Sequence, residues 1–115
     1  MKLVRDKIPN KLNFLNAGVS YRTARKEEMP KLLVQKLMEE VGELVNAGNV
    51  DDITDELADV LQVLHSLALQ NEIDWWAVED RFYEKHDDKG GFAQRQVLEV
   101  KEVIERPDPR KDRNA

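Results

Sequence analysis

Three observations predict an all-α fold. Charged residues make up 36% of the 115-residue chain and the hydrophobic set 41%. That balance suits helices with one apolar stripe and one wet face better than a β-sandwich, whose strands draw on β-branched and aromatic residues. Apolar residues recur at three- and four-residue intervals over most of the length. The interruptions between these runs fall at Gly, Asn and Pro. One domain with one core is expected at this size, spanning residues 1–105. A polar, mobile tail is expected over residues 106–115.

The elements follow in order. Lys2-Leu3-Val4-Arg5-Asp6-Lys7-Ile8 is a short basic opening that fits either a solvated arm or a phosphate contact. Pro9 suits the first turn of a helix, where its missing N–H is not needed. Ile8, Leu12 and Leu15, with Phe14, carry that helix to Ala17-Gly18. Residues 19–24 read as loop or a short edge strand. A long amphipathic helix is predicted from Glu28 to Ala47, with Pro30 in its first turn and a stripe of Leu33, Leu37, Val41, Leu44 and Val45. Gly48-Asn49 ends it, and Asp51 or Asp52 is a natural N-cap for the next helix.

That third helix is predicted over residues 52–69, with Ile53, Leu57, Val60, Leu61, Leu64, Leu67 and Ala68 facing inward. Asn71 closes it. A fourth helix runs from Trp75, capped by Asp74, to about His86, and Gly90-Gly91 breaks the pattern. The periodicity of residues 92–103 fits a late strand and a short helix equally.

Composition excludes several classes of function. The net charge of −5 argues against non-specific nucleic-acid binding, which needs a basic surface. No apolar run approaches the roughly 18 residues of a membrane span. The opening residues lack the apolar core of a secretory signal. The absence of cysteine removes disulfide and thiolate-metal chemistry, so a cytoplasmic location is the expectation.

The chemistry concentrates in Glu39-Glu40-x-x-Glu43 and Glu56-x-x-Asp59. On helical wheels at about 100° per residue, each acid pair flanks its helix's apolar stripe on the same side. The connection between the helices is short, so they should form an antiparallel hairpin. Facing antiparallel helices carry matching flanks to one rim. Glu43 and Glu56, and likewise Glu40 and Asp59, lie at nearly equal distances from the turn at Asn49-Val50. All four carboxylates should therefore converge. Like charges about 4 Å apart repel by on the order of 4 kcal/mol at an effective dielectric near 20, so the cluster calls for a cation or a proton. Oxygen-only ligands select hard cations, with Mg²⁺ favoured and Mn²⁺ a workable substitute. The competing reading is a pair of ordinary solvated acidic faces.

These motifs resemble the EExxE…ExxD signature of the MazG-like all-α nucleoside triphosphate pyrophosphohydrolases. Lys36-Leu37-Met38-Glu39-Glu40 is similar to the family's KLxEE, and Leu57-Ala58-Asp59-Val60 to its ELADV. The opening residues 2–9 match a start seen in small members. Arg81, Lys85 and Lys89-Gly90-Gly91-Phe92 resemble the closing R…K…RGGF, with Lys89 where Arg is usual. The resemblance implies a helical bundle of about four helices per subunit, assembled as a homodimer or homotetramer. It implies cleavage of a nucleoside triphosphate between the α- and β-phosphates, in a house-cleaning role against non-standard or excess nucleotides. Glu40, Glu43, Glu56 and Asp59 match its Mg²⁺ ligands, and Glu39 matches a position near the attacking water. Lys36, Arg81, Lys85 and Lys89 would hold the phosphates. Phosphoribosyl-ATP pyrophosphohydrolase, whose acidic motif is similar, is the alternative enzyme. A non-catalytic helical interaction module is the alternative of another class.

Some residues read as structural. Trp75 and Trp76 suit packing at a helix start better than base stacking. His65 lies away from the acids. Gly42 costs about 1 kcal/mol of helix propensity, which fits either close approach of another helix or a ligand, or a tolerated defect.

Overall fold

The computed structural model describes residues 1–12 and 18–101. Four α-helices occur among them: α1 (Ile8–Leu12), α2 (Met29–Asn46), α3 (Val50–Gln70) and α4 (Trp75–Lys89). A single 3-10 turn, Lys26–Glu28, leads into α2. The all-α expectation holds. The remainder of the predicted first helix, residues 13–17, and the predicted tail lie outside the described residues. The chain divides into two compact units, Met1–Tyr83 and Glu84–Ala115.

The start of α2 is set by local chemistry. Pro30 sits in its first turn, where no N–H is missed. Arg22 donates to both oxygens of Glu28 at 2.9 and 2.8 Å, and the Arg25 N–H donates to Glu28 Oε2 at 2.8 Å. These bonds, with the Arg22 guanidinium named first, draw the Glu28 carboxyl down to about 2. The loop before α2 is thereby tied to the helix it feeds.

The cap of α3 differs from expectation. Asn49, not Asp51 or Asp52, is the N-cap: its Oδ1 accepts from the Asp52 N–H at 2.8 Å, and its Nδ2 donates to Asp52 Oδ2 at 3.0 Å. Asn and Asp cap comparably well. The first of the three in sequence takes the position, and the aspartates fall in the first turn, where the helix dipole favours them. At the other end Asn71 closes α3, and its Nδ2 donates to the Leu67 carbonyl at 2.7 Å.

α2 and α3 pack on each other across the three-residue connection 47–49, which makes them antiparallel. Leu32 and Leu33 from α2 meet Val63 and Ala68 from α3 as the buried apolar set. The predicted stripes are only partly covered. Leu37, Leu44, Val60 and Leu67 are half-buried, whereas Val41, Val45, Ile53, Leu57, Leu61 and Leu64 are exposed. Leu32 and Val63 were not among the expected core residues. The reason is geometric: one partner helix covers one flank of a wide apolar stripe and leaves the other flank open.

Trp75 opens α4 and stacks on His65, ring centroids 3.7 Å apart, which accounts for both without a ligand. Gly90 ends α4 at φ 79°, its N–H donating to the His86 carbonyl at 2.8 Å. Residues 92–101 form neither the late strand nor the short helix, and Val97, Leu98 and Val100 are exposed. Among the described residues no strand exists for this segment to pair with. Residues 19–24 are likewise loop.

Candidate metal centre

α2 supplies Glu40 and Glu43, one helical turn apart, and α3 supplies Glu56 and Asp59 with the same spacing. One carboxylate oxygen from each of the four lies within 4.8 Å of the others. The convergence expected from wheel phase and turn symmetry is therefore present. Burial is graded across the cluster. Glu40 is 6% exposed, Glu56 and Asp59 are half-buried, and Glu43 faces solvent.

The buried members are under-satisfied. Glu40 Oε1 pairs with Lys36 Nζ at 3.3 Å, but Oε2 of Glu40 and Oε2 of Glu56 are buried with no donor among the described residues. A buried carboxylate oxygen without a donor is costly. Two remedies exist, a proton or a cation. Desolvation first, then a hydrogen bond to Glu40 and the charges of Glu43, Glu40 and Asp59, push the Glu56 carboxyl up from 4.5 to about 7. A shared proton between Glu56 and Glu40 meets the need without metal. A hard divalent cation meets it for all four at once, because the donor set is all oxygen and one oxygen of each carboxylate converges.

Basic residues surround the acids. Lys36 Nζ lies 3.5 Å from Glu39 Oε2 as well as 3.3 Å from Glu40. Lys2 Nζ donates to Glu39 Oε1 at 3.1 Å. That bond holds the Glu39 carboxyl below its ordinary value, with Lys36 adding to the effect. Arg5 Nη2 donates to Asp59 Oδ1. Glu39 thus stands at the rim, paired with two lysines and outside the group of four.

The structure joins Lys36 to the acids. Arg81 is exposed on α4, and Lys85 and Lys89 belong to the second unit. Lys2 and Arg5 belong to the basic opening that fits either a solvated arm or a phosphate contact, and the structure sets both on acids of this group. The available signal was two basic residues three apart in an opening that stops at Pro9.

Two clefts adjoin the acids. One, of about 320 Å³, is lined by Leu33, Met29, Val63, Gln62 and Ser66 together with Glu40 and Asp59. The other, of about 630 Å³, is lined by Lys2, Ser20, Tyr21 and Lys36, again with Glu40 and Asp59. Arg5 and Val4 line both.

Residues 16–86, more than half of the chain, match the family model described as phosphoribosyl-ATP pyrophosphohydrolase. The match covers both acidic motifs and begins after the basic opening. No curated protein and no solved structure matches the chain significantly.

Proposed function

The chain belongs to the phosphoribosyl-ATP pyrophosphohydrolase family, within the MazG-like all-α superfamily, and on that premise we propose that it hydrolyses nucleoside triphosphates between the α- and β-phosphates, releasing monophosphate and pyrophosphate. The carrying observation is the four-carboxylate cluster, with two buried oxygens lacking donors, set among lysines and an arginine.

Glu40, Glu43, Glu56 and Asp59 would hold Mg²⁺, with Mn²⁺ serving in its place. When bound, the ion would offset the phosphate charge and lower the pKa of a water. Glu39 would orient that water or take its proton, from a rim position that Lys2 and Lys36 fix. Lys36 would contact the phosphates nearest the acids. By the motif resemblance alone, Arg81, Lys85 and Lys89, spaced four apart along α4, would be further phosphate contacts.

We also propose that the active form is a homodimer or larger homo-oligomer. Val34, Met38, Val41 and Val45 recur at helical spacing along α2 and are exposed, as do Ile53, Leu57, Leu61 and Leu64 along α3. Two uncovered stripes on adjoining helices fit a second copy of the same hairpin, which would complete a four-helix core.

Phosphoribosyl-ATP is the second reading for the substrate, favoured by the activity for which the matching family is named. One assay separates the readings. Purified protein with Mg²⁺ is given a nucleotide panel that includes phosphoribosyl-ATP, and pyrophosphate release is followed. Release from ordinary or modified nucleoside triphosphates supports the first reading, and release from phosphoribosyl-ATP alone supports the second. Orthophosphate alone contradicts α–β cleavage. No release, together with no Mg²⁺ or Mn²⁺ binding by calorimetry, leaves a non-catalytic module.

A further inference from the structure

We propose that the N-terminal arm, residues 1–6, is a partner-exchanging latch on the acidic cluster: Arg5 occupies Asp59 in the free protein and transfers to a phosphate of the substrate when Asp59 engages a cation. This rests on the hydrolase reading above and adds to it a recognition element that lies outside the matched residues 16–86.

Four observations lead to it. Arg5 pairs with Asp59, one of the four clustered carboxylates, from 54 residues away in sequence. A guanidinium on that oxygen competes directly with any cation that would use it. Its side chain is about half exposed, so it can leave without disturbing packing. The position is also shared: Arg5, Glu40, Asp59 and Lys36 line both adjoining clefts, so whatever fills either cleft meets the guanidinium. Finally, the backbone that carries Arg5 is anchored at both sides. Leu3 and Val4 are half-buried, the Ile8 N–H donates to the Arg5 carbonyl at 3.0 Å, and Arg22, itself locked on Glu28, donates to Met1 Sδ at 3.1 Å. The side chain can swing while the arm stays.

The chemistry of the exchange is balanced. In the free protein Arg5 lowers the net negative charge of a crowded acid cluster. With cation and triphosphate present, Asp59 no longer needs that partner, and the guanidinium finds planar, bidentate acceptors on a phosphate. Lys2 stays on Glu39 at 3.1 Å, so the exchange is confined to Arg5. The arm therefore couples two events, since the triphosphate draws Arg5 away and leaves Asp59 open.

Two measurements on the full chain test this, using Arg5→Ala, Arg5→Lys, and Lys7→Ala as a control for loss of one positive charge that follows the arm and lines neither cleft. Calorimetry with Mn²⁺ alone should show Arg5→Ala binding about threefold tighter than wild type, because an exposed competing ion pair is gone. Pyrophosphate release should show KM for the triphosphate raised about tenfold or more, with Arg5→Lys recovering part of the loss and Lys7→Ala unchanged. Unchanged or weaker Mn²⁺ binding in Arg5→Ala overturns the latch, as does an unchanged KM. A wild type that releases no pyrophosphate from any nucleotide overturns the hydrolase reading and the phosphate half of this inference with it. A wild type that turns over while Arg5→Ala keeps its KM overturns the arm's role alone.

Discussion

Glu40 and Glu56, on facing helices, each bury an oxygen that no donor reaches. Both cannot be charged and bare at once without loss of stability. The Glu56 carboxyl, raised from 4.5 to about 7, is the group that yields. Between those two values the folded chain keeps the proton and the unfolded chain has released it, so this group's contribution to stability falls as pH rises through the window. Thermal melts of metal-free protein should show Glu56→Gln losing less stability than wild type from pH 5 to 7.5. Mg²⁺ should raise the wild-type Tm more above pH 7 than below it. Parallel pH profiles for the two proteins would contradict this.

Glu43→Gln and Asp59→Asn should each abolish turnover while far-UV circular dichroism stays near wild type, since Glu43 is exposed and Asp59 half-buried. The loss should exceed the roughly 10–100-fold typical of removing an outer-shell partner of a metal site. Glu39→Gln should behave differently: kcat falls, and Mn²⁺ affinity stays close to wild type. A variant of the first pair that remains active removes its residue from the metal site.

Gly42 interrupts α2 inside the acidic motif, and nothing lies within 4 Å of where its Cβ would be. No close approach is made there among the described residues. Gly42→Ala should therefore stabilise the helix by about 1 kcal/mol. For a domain of this size that corresponds to a Tm rise of about 4–8 °C. A fall in Tm would mean that a second copy presses on α2 at that point.

Leu61→Asp, on the uncovered face of α3, should convert an oligomer to a monomer measurable by light scattering. Leu61 is 47% exposed in the single chain, so an aspartate there can reach solvent, and circular dichroism checks that the helices persist. A wild type that is monomeric at micromolar concentration would remove the self-association proposal.

Much of this was legible before the structure because it depended on local periodicity. Helix boundaries for α2 and α3 followed from apolar spacing, Pro30 and Asn71, and the acid cluster followed from wheel phase and a short turn. The Asn49 cap was missed because three good caps stand in a row, and their ranking is nearly flat. The exposed half of each stripe was misread because spacing reports which face is apolar and not how many neighbours cover it. The pairing of Arg5 with Asp59 was not legible for a third reason: the two are distant in sequence, and no periodicity connects a loop residue to a helix.

The connection between α2 and α3 is three residues, 47–49, and every clustered carboxylate lies between positions 40 and 59. The site is thus a low-contact-order object. Its geometry is complete once one helical hairpin closes, an event on the microsecond scale of local folding. A cation that binds these four residues would tie the two halves of that hairpin together, so occupying the site also holds the fold.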